Sequence, residues 1–264
     1  MNVVTGIAAV SGACDSTAFL RSRKTRKFMG RQDELAVVAA ARAIESASLT
    51  APFGERCGLY AAVGYIPFEE SDITELLDAS LDGDAFSMQR FSANAFAAIH
   101  PLLTFRVLPN MPAFHISLNF DIQGPYTISY PGAAQGFVAM ADEFAALDAS
   151  AIDIALVAAV ADQENYLVRH HFSRLEPPID PSVLTNAAAC AVVEREDDAL
   201  RRGARVRARL TSWSLQSAET PNCDERHVAF GPASLGFALA NASGAVTHEV
   251  RERGLLAQSA WEVA

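Results

Sequence analysis

The chain has 264 residues, half of them apolar, and carries a net charge of −10 from 31 acidic and 21 basic residues. This acidic balance argues against general binding to nucleic acid or to anionic lipid, because both depend on a basic surface. No apolar run reaches the length of a membrane span, since charged residues or prolines interrupt each one, so we expect no membrane insertion.

In the first half of the chain, strand-like segments alternate with amphipathic ones. Apolar residues recur at helical spacing over residues 33–48, which predicts a helix whose apolar stripe lies on a sheet. The other elements predicted here are strands at 3–9 and 57–64 and helices at 73–81 and 91–99. Two prolines make residues 108–113 a fixed loop, which is predicted to deliver residues 114–120 as another strand.

The same alternation continues through the second half. Residues 126–130 predict a strand, Pro131 and Gly132 a sharp corner, and residues 133–147 an alanine-rich helix. Residues 152–161 are apolar throughout, as in a central strand covered on both faces. Further strands are predicted at 187–193, 206–215 and 246–250, and further helices at 194–202 and 233–241. Without repeats or linkers, residues 1–264 are predicted to form one layered α/β domain.

Cysteines and histidines form no recognisable metal or cofactor motif. The four cysteines are Cys14, Cys57, Cys190 and Cys223. They contain no Cys-x-x-Cys pair and follow no hydrophobic leader, so we expect a reducing, cytoplasmic location. Adjacent histidines point in different directions, so His170 and His171 are predicted to lie in a polar loop without a metal. Glycine-rich nucleotide loops and the Gly-x-Ser-x-Gly elbow are missing too, and no cofactor is predicted.

The most specific series of features begins at residue 108. A Leu-Pro-Asn-Met-Pro-Ala loop is followed by an apolar segment, by Gly124-Pro125, by the strand at 126–130 and by the corner into the alanine-rich helix. This order resembles β-ketoacyl synthases and their chain-length-factor relatives. The resemblance implies a thiolase-like layered α/β fold, in which helices cover a mixed β-sheet, corresponding to the N-terminal half of a ketosynthase.

The same resemblance bears on catalysis. In that family the strand after Gly-Pro leads to a cysteine nucleophile at the start of a helix, where the helix dipole and free N–H groups favour the thiolate. Counted from Gly124-Pro125, Ala133 occupies the nucleophile position, and a methyl group cannot attack a thioester. The resemblance therefore implies a subunit without a catalytic residue. Chain-length factors of aromatic polyketide systems carry glutamine at this position, whereas here Gln135 comes two residues later.

The resemblance also implies a partner. In this family the corner lies at a dimer twofold, where subunits join their sheets edge to edge. We therefore expect a heterodimer with a full-length, active ketosynthase, through which an acyl carrier protein binds. This subunit would shape the acyl tunnel in type II polyketide, polyene or fatty-acid-like elongation, and its truncated form is most similar to subunits of aryl polyene systems. The candidate tunnel and interface residues are Met111, Phe114, Tyr126, Ile128, Tyr130, Pro131, Gly132, Ala133 and Gln135.

Two other functions remain open at this point. One is an independent thiolase-like enzyme that decarboxylates or hydrolyses thioesters with Gln135, His115 or His170. The other is a homodimeric scaffold of the same fold. The dense basic stretch at residues 21–27 is either a solvated loop or a contact for an acidic carrier domain.

Overall fold

The computed structural model describes residues 1–217, 228–252 and 254–264, apart from the side chain of Phe96. Cys223 and His227 lie outside the described residues. The strands are β1 (Asn2–Ser11), β2 (Cys57–Val63), β3 (Leu81–Asp82), β4 (Ala85–Phe86), β5 (Tyr126–Ser129), β6 (Ile154–Ala161), β7 (Ala187–Arg195), β8 (Ala208–Ser217), β9 (Gly244–Glu252) and β10 (Leu255–Val263). The helices are α1 (Arg31–Ser46), α2 (Glu70–Ala79), α3 (Met88–Arg90), α4 (Phe96–Ala98), α5 (Leu103–Val107), α6 (Met111–Phe120), α7 (Gln135–Asp148), α8 (Tyr166–Ser173), α9 (Glu196–Arg201) and α10 (Ser234–Ala240).

A mixed sheet organises the fold. Its strand order is β5-β2-β6-β7-β1-β8-β10-β9, and β3 pairs with β4 in a separate hairpin. The neighbours β5, β2 and β6 run parallel, whereas every pairing from β6 to β9 is antiparallel. The predicted apolar run is β6, which pairs with β2 on one side and β7 on the other. Its position explains why it carries no alternating pattern, because helices cover both of its faces.

Two hydrophobic cores lie on opposite faces of this sheet. On one face, Leu35 and Val38 of α1 pack with Ile116 of α6. On the other face, Phe137 of α7 and Leu239 of α10 pack with strand residues such as Trp261. The predicted layered α/β architecture, with helices covering a mixed sheet, is confirmed.

The segment before β5 is a helix, so the strand predicted at residues 114–120 is wrong. The loop predicted at 108–113 is also too long, because α6 begins at Met111. Pro112 stands in the first turn of α6, where the missing N–H removes no intrahelical hydrogen bond. Met111, His115 and Ile116 are buried while Phe114 is half exposed, which is a helical and not an alternating distribution.

Two further elements differ from the prediction. His170 and His171 lie in α8 and not in a polar loop. Asn165 begins this helix, because its side-chain oxygen accepts a hydrogen bond from the N–H of Val168 at 3.0 Å. The strand β10 was not predicted, although it pairs along its whole length with β9 and β8. Among the described residues, no helix is both long enough and apolar enough to cross a membrane.

Candidate functional site

The corner between β5 and α7 has the strand–turn–helix geometry that the sequence predicts. Gly132 turns the chain with a φ of +115°, a conformation that side chains rarely adopt. The Ser129 hydroxyl donates to the carbonyl oxygen of Gln135 at 3.0 Å and so ties the end of the strand to the start of the helix. Ala133 is buried between these two elements, and Gln135 is the first residue of α7.

A carboxylate from the last part of the chain fills this corner. Glu252 ends β9 and is only 6% exposed. Its Oε2 accepts a hydrogen bond from the backbone N–H of Ala134 at 3.2 Å. A Cβ on Gly132 would collide with the same oxygen, so a larger residue cannot fit there without movement. The Tyr65 hydroxyl lies 3.5 Å from the other oxygen. Glu252 thus supplies an acceptor where the N-terminus of a helix favours negative charge.

The cysteines that the structure describes lie away from the corner. Cys57 starts β2, five residues before Ala62, which pairs with Ser129; at about 3.3 Å per residue this is ~16 Å along the strand. The side chains of Cys57 and Cys190 pack in the core beneath α1, on the opposite face of the sheet from α7. Cys14 packs against the same core. Burial raises the pKa of Cys57 to about 12 and raises that of Cys190 as well, so both thiols stay protonated.

The remaining predicted residues lie around the β5 end of the sheet. Phe114, Tyr126 and Ile128 line a groove of about 300 Å³ between α6 and β5. Tyr126 is 67% exposed, and Phe114 and Tyr130 are each 50% exposed. Met111 is buried at the start of α6. Some residues of the predicted set therefore line this groove and others form the corner, whereas Met111 belongs to neither.

The β5 end of the sheet has an unpaired edge. β5 is the last strand in the order, and β2 is its neighbour in the sheet. Its outer backbone groups therefore face away from the described strands. An exposed edge flanked by aromatic side chains is a template for pairing with another chain.

The histidines considered for catalysis lie in helices. His115 is fully buried in α6, and burial lowers its pKa to about 4, so the imidazole is neutral at neutral pH. The ring of His170 stacks on Tyr166 with a centroid separation of 6.2 Å, and the ring of His171 lies 4.8 Å from that of Tyr65. Among the residues the structure describes, no three metal-binding side chains come together.

The basic stretch at residues 21–27 overlaps a short 3₁₀ helix, Arg23–Phe28. Arg26 forms ion pairs within the chain, at 3.3 Å to Glu34 and at 3.6 Å to Asp15. Lys27 extends over the ring of Phe28, with its Nζ 4.8 Å from the ring centroid. Part of this basic charge is therefore engaged inside the chain.

Comparison with known proteins identifies the family. Residues 3–203 match the model of the β-ketoacyl synthase N-terminal domain. A comparison with curated protein sequences gave no match. Because the matching segment spans most of the chain, the chain belongs to the β-ketoacyl synthase family.

Solved structures with the same fold include three that align over the whole chain and over 99% of their own length. One belongs to AntDE:AntF, a type II polyketide synthase acyl-carrier protein in complex with its ketosynthase bound to the hexaketide, with 12% identity and a TM-score of 0.77. Another is a β-ketoacyl synthase from Burkholderia phymatum, with 11% identity and a TM-score of 0.71. The third is the ishigamide ketosynthase/chain length factor, with 16% identity and a TM-score of 0.67. At these identities the likeness establishes the fold.

Proposed function

We propose that this chain, as a member of the β-ketoacyl synthase family, is a non-catalytic, chain-length-factor-like subunit. It forms a heterodimer with an active ketosynthase and shapes the acyl tunnel in type II polyketide, polyene or fatty-acid-like elongation. Residues 1–264 act as a single truncated ketosynthase-like domain, and an aryl polyene-type system is the one that we favour. An acyl carrier protein reaches the complex mainly through the ketosynthase.

The corner is the observation that carries this proposal. A ketosynthase needs a thiolate at the start of the helix, whereas here Ala133 has no nucleophilic atom. Glu252 accepts the hydrogen bond from Ala134 at the same helix end, so its carboxyl group already occupies that position. A carboxylate at this position disfavours a thiolate or a developing oxyanion close by. Both features support a corner that holds the subunit together and does not react.

The β5 edge supports the partner. Its exposed aromatic residues, Tyr126 and Tyr130, offer apolar surface beside unpaired backbone groups, which suits edge-to-edge pairing with a second sheet. Two of the structural neighbours come from ketosynthase assemblies, one with a chain length factor and one with a carrier protein. The groove lined by Phe114, Tyr126 and Ile128 lies at the same edge, where side chains would meet an acyl chain that crosses the interface.

Co-expression with the ketosynthase encoded nearest to this chain tests the proposal. Size-exclusion chromatography with light scattering measures the stoichiometry, and malonyl-loaded carrier protein serves as substrate in an elongation assay. We expect a stable 1:1 complex and elongation only when both chains are present. A homodimer without affinity for the ketosynthase would contradict the proposal, as would thioester turnover by the purified chain alone.

A further inference from the structure

The helix α2 has an apolar stripe that the chain leaves largely uncovered. Ile73, Leu76 and Leu77 recur at helical spacing, as in a helix that buries one face against a core. No residue of α2 is buried, however, and Leu77 is 46% exposed. A helix in a folded protein gains most of its stability from packing such a stripe. This stripe is therefore available to a partner from outside the chain.

The hairpin that follows α2 extends this apolar surface. The N–H of Ser87 donates to the carbonyl oxygen of Ser80 at 2.8 Å, which holds the hairpin against the end of α2. Phe86 ends β4 and is 56% exposed, and Met88 is 64% exposed. Each strand of the hairpin has only two residues, so its edge is too short to pair with a strand of another chain. A partner would bind here through its side chains.

The charges on this surface are all negative. Residues 66–89 contain no lysine, arginine or histidine, but seven acidic residues, which are Glu69, Glu70, Asp72, Glu75, Asp78, Asp82 and Asp84. Arginines outside this range form ion pairs with three of them, at 3.7 Å for Glu69 and Asp72 and at 2.8 Å for Asp82. The other four are exposed and form no ion pair with any residue that the structure describes. Exposed apolar side chains beside such carboxylates favour a partner that combines apolar side chains with cations.

The charge of the surface also excludes other occupants. Nucleic acid and anionic lipid carry the same sign of charge and would be repelled. A second copy of this chain would bring its own net charge of −10, which disfavours self-association. The carboxylates do not form a divalent-cation site, because no three metal-binding side chains converge in the part of the chain that the structure describes. A basic protein is the remaining occupant.

We propose that α2 and the β3–β4 hairpin form a docking surface for a basic amphipathic helix of a protein partner. The apolar stripe of that helix packs on Leu77 and Met88, while its lysines or arginines pair with Glu75, Asp78 and Asp84. Long basic side chains suit this arrangement, because their aliphatic stems cover apolar surface while their charged ends reach the carboxylates. The surface includes no residue of the corner or of the β5 groove, and it does not depend on the function proposed above.

Titration of the purified chain with a fluorescein-labelled peptide tests this surface. The basic peptide repeats Leu-Lys-Lys-Leu-Leu-Lys-Leu twice, and its acidic counterpart carries glutamate in place of every lysine. Fluorescence anisotropy measures the affinity at about 50 mM and about 300 mM NaCl. We expect only the basic peptide to bind, and we expect its affinity to fall at the higher salt concentration, because salt screens exposed ion pairs.

Charge-matched variants separate this surface from the overall acidity of the chain. Glu75→Gln, Asp78→Asn and Asp84→Asn in combination should weaken binding about tenfold, as for the loss of three exposed ion pairs. The matched control removes the same number of exposed carboxylates elsewhere, by Glu45→Gln, Asp142→Asn and Asp197→Asn. This control should change the affinity by less than about twofold.

A second pair of substitutions tests the apolar part. Leu77→Ser combined with Met88→Ser should weaken binding about tenfold even at the higher salt concentration, where ion pairs contribute little. Leu200→Ser, at an exposed position of α9, should leave the affinity unchanged. Equal binding of the two peptides, or equal losses in the surface variants and their controls, would overturn the proposal. Absence of a ketosynthase complex would contradict only the function proposed above.

Discussion

Restoring a cysteine at the corner tests how far Glu252 controls the chemistry there. In Ala133→Cys the thiol would lie beside Ala134, whose N–H binds the Glu252 carboxylate. A helix N-terminus lowers a thiol pKa, whereas an adjacent carboxylate raises it. If about 5 Å separates the thiolate from the Glu252 carboxylate, an effective dielectric constant of ~20 gives a repulsion of roughly 3 kcal/mol. This repulsion raises the pKa of the thiol by about 2. The helix contributes only about 1 kcal/mol in the opposite direction. We therefore expect a thiol that stays protonated at neutral pH.

Alkylation with iodoacetamide measures this effect. Peptide mapping by mass spectrometry separates the new cysteine from Cys57 and Cys190, which are buried. We expect Ala133→Cys combined with Glu252→Gln to react about 100-fold faster at neutral pH than Ala133→Cys alone, which corresponds to the ~2-unit difference in pKa. Glu249→Gln, on the same strand, is the matched control and should change the rate little. Equal rates with and without Glu252 would refute the electrostatic argument.

Three further predictions address the corner, the interface and a buried base. Gly132→Ala should lower the free energy of unfolding by about 2–4 kcal/mol, because Gly132 has a φ of +115° and the new methyl group would collide with the Glu252 carboxylate. Gly83→Ala, at φ +62° in open space, should cost only about 1 kcal/mol, and urea denaturation compares the two variants. Tyr126→Ala should weaken the ketosynthase complex about 200-fold in calorimetric titration, because roughly 130 Å² of ring at ~25 cal/mol per Å² is lost from the interface. The exposed Leu200→Ala should leave the affinity unchanged. The pKa of His115 is about 4 in the folded chain and 6.5 in the unfolded chain. About 3 kcal/mol of the stability present above pH 6.5 should therefore be lost as the pH falls to 4. His115→Leu should lose correspondingly less when urea denaturation is compared at the two pH values.

The α6 segment explains why part of the site could not be predicted from sequence. Polar His115, Ser117 and Asn119 alternate with apolar residues, and a period of two indicates a strand. Tertiary packing outweighs this pattern, because His115 is buried with Ile116 while the apolar Phe114 and Leu118 are partly exposed. A buried histidine and an exposed phenylalanine are the reverse of what binary patterning assumes. Three of the residues singled out from the sequence, Phe114, Tyr126 and Ile128, nevertheless line one groove.

The corner itself followed from local signals, whereas the group that fills it did not. Pro131, Gly132 and the alanine-rich helix are adjacent in sequence, so turn and helix preferences predicted their geometry. Glu252 is separated from Ala134 by 118 positions. As one of 31 acidic residues, it carries no local feature that distinguishes it from a solvated glutamate. The register of β9 on β10 is what places Glu252 at the N-terminal end of α7.

The part of the chain beyond residue 203, where the family match ends, completes the corner. β8, β10 and β9 extend the sheet from β1, and the last residue of β9 places its carboxylate at the corner. The chemical character of the corner therefore depends on a tertiary contact as well as on the residue at position 133. Replacing Ala133 by cysteine changes only the local half of that arrangement, so a reactive thiol at this corner requires removal of the Glu252 carboxylate too.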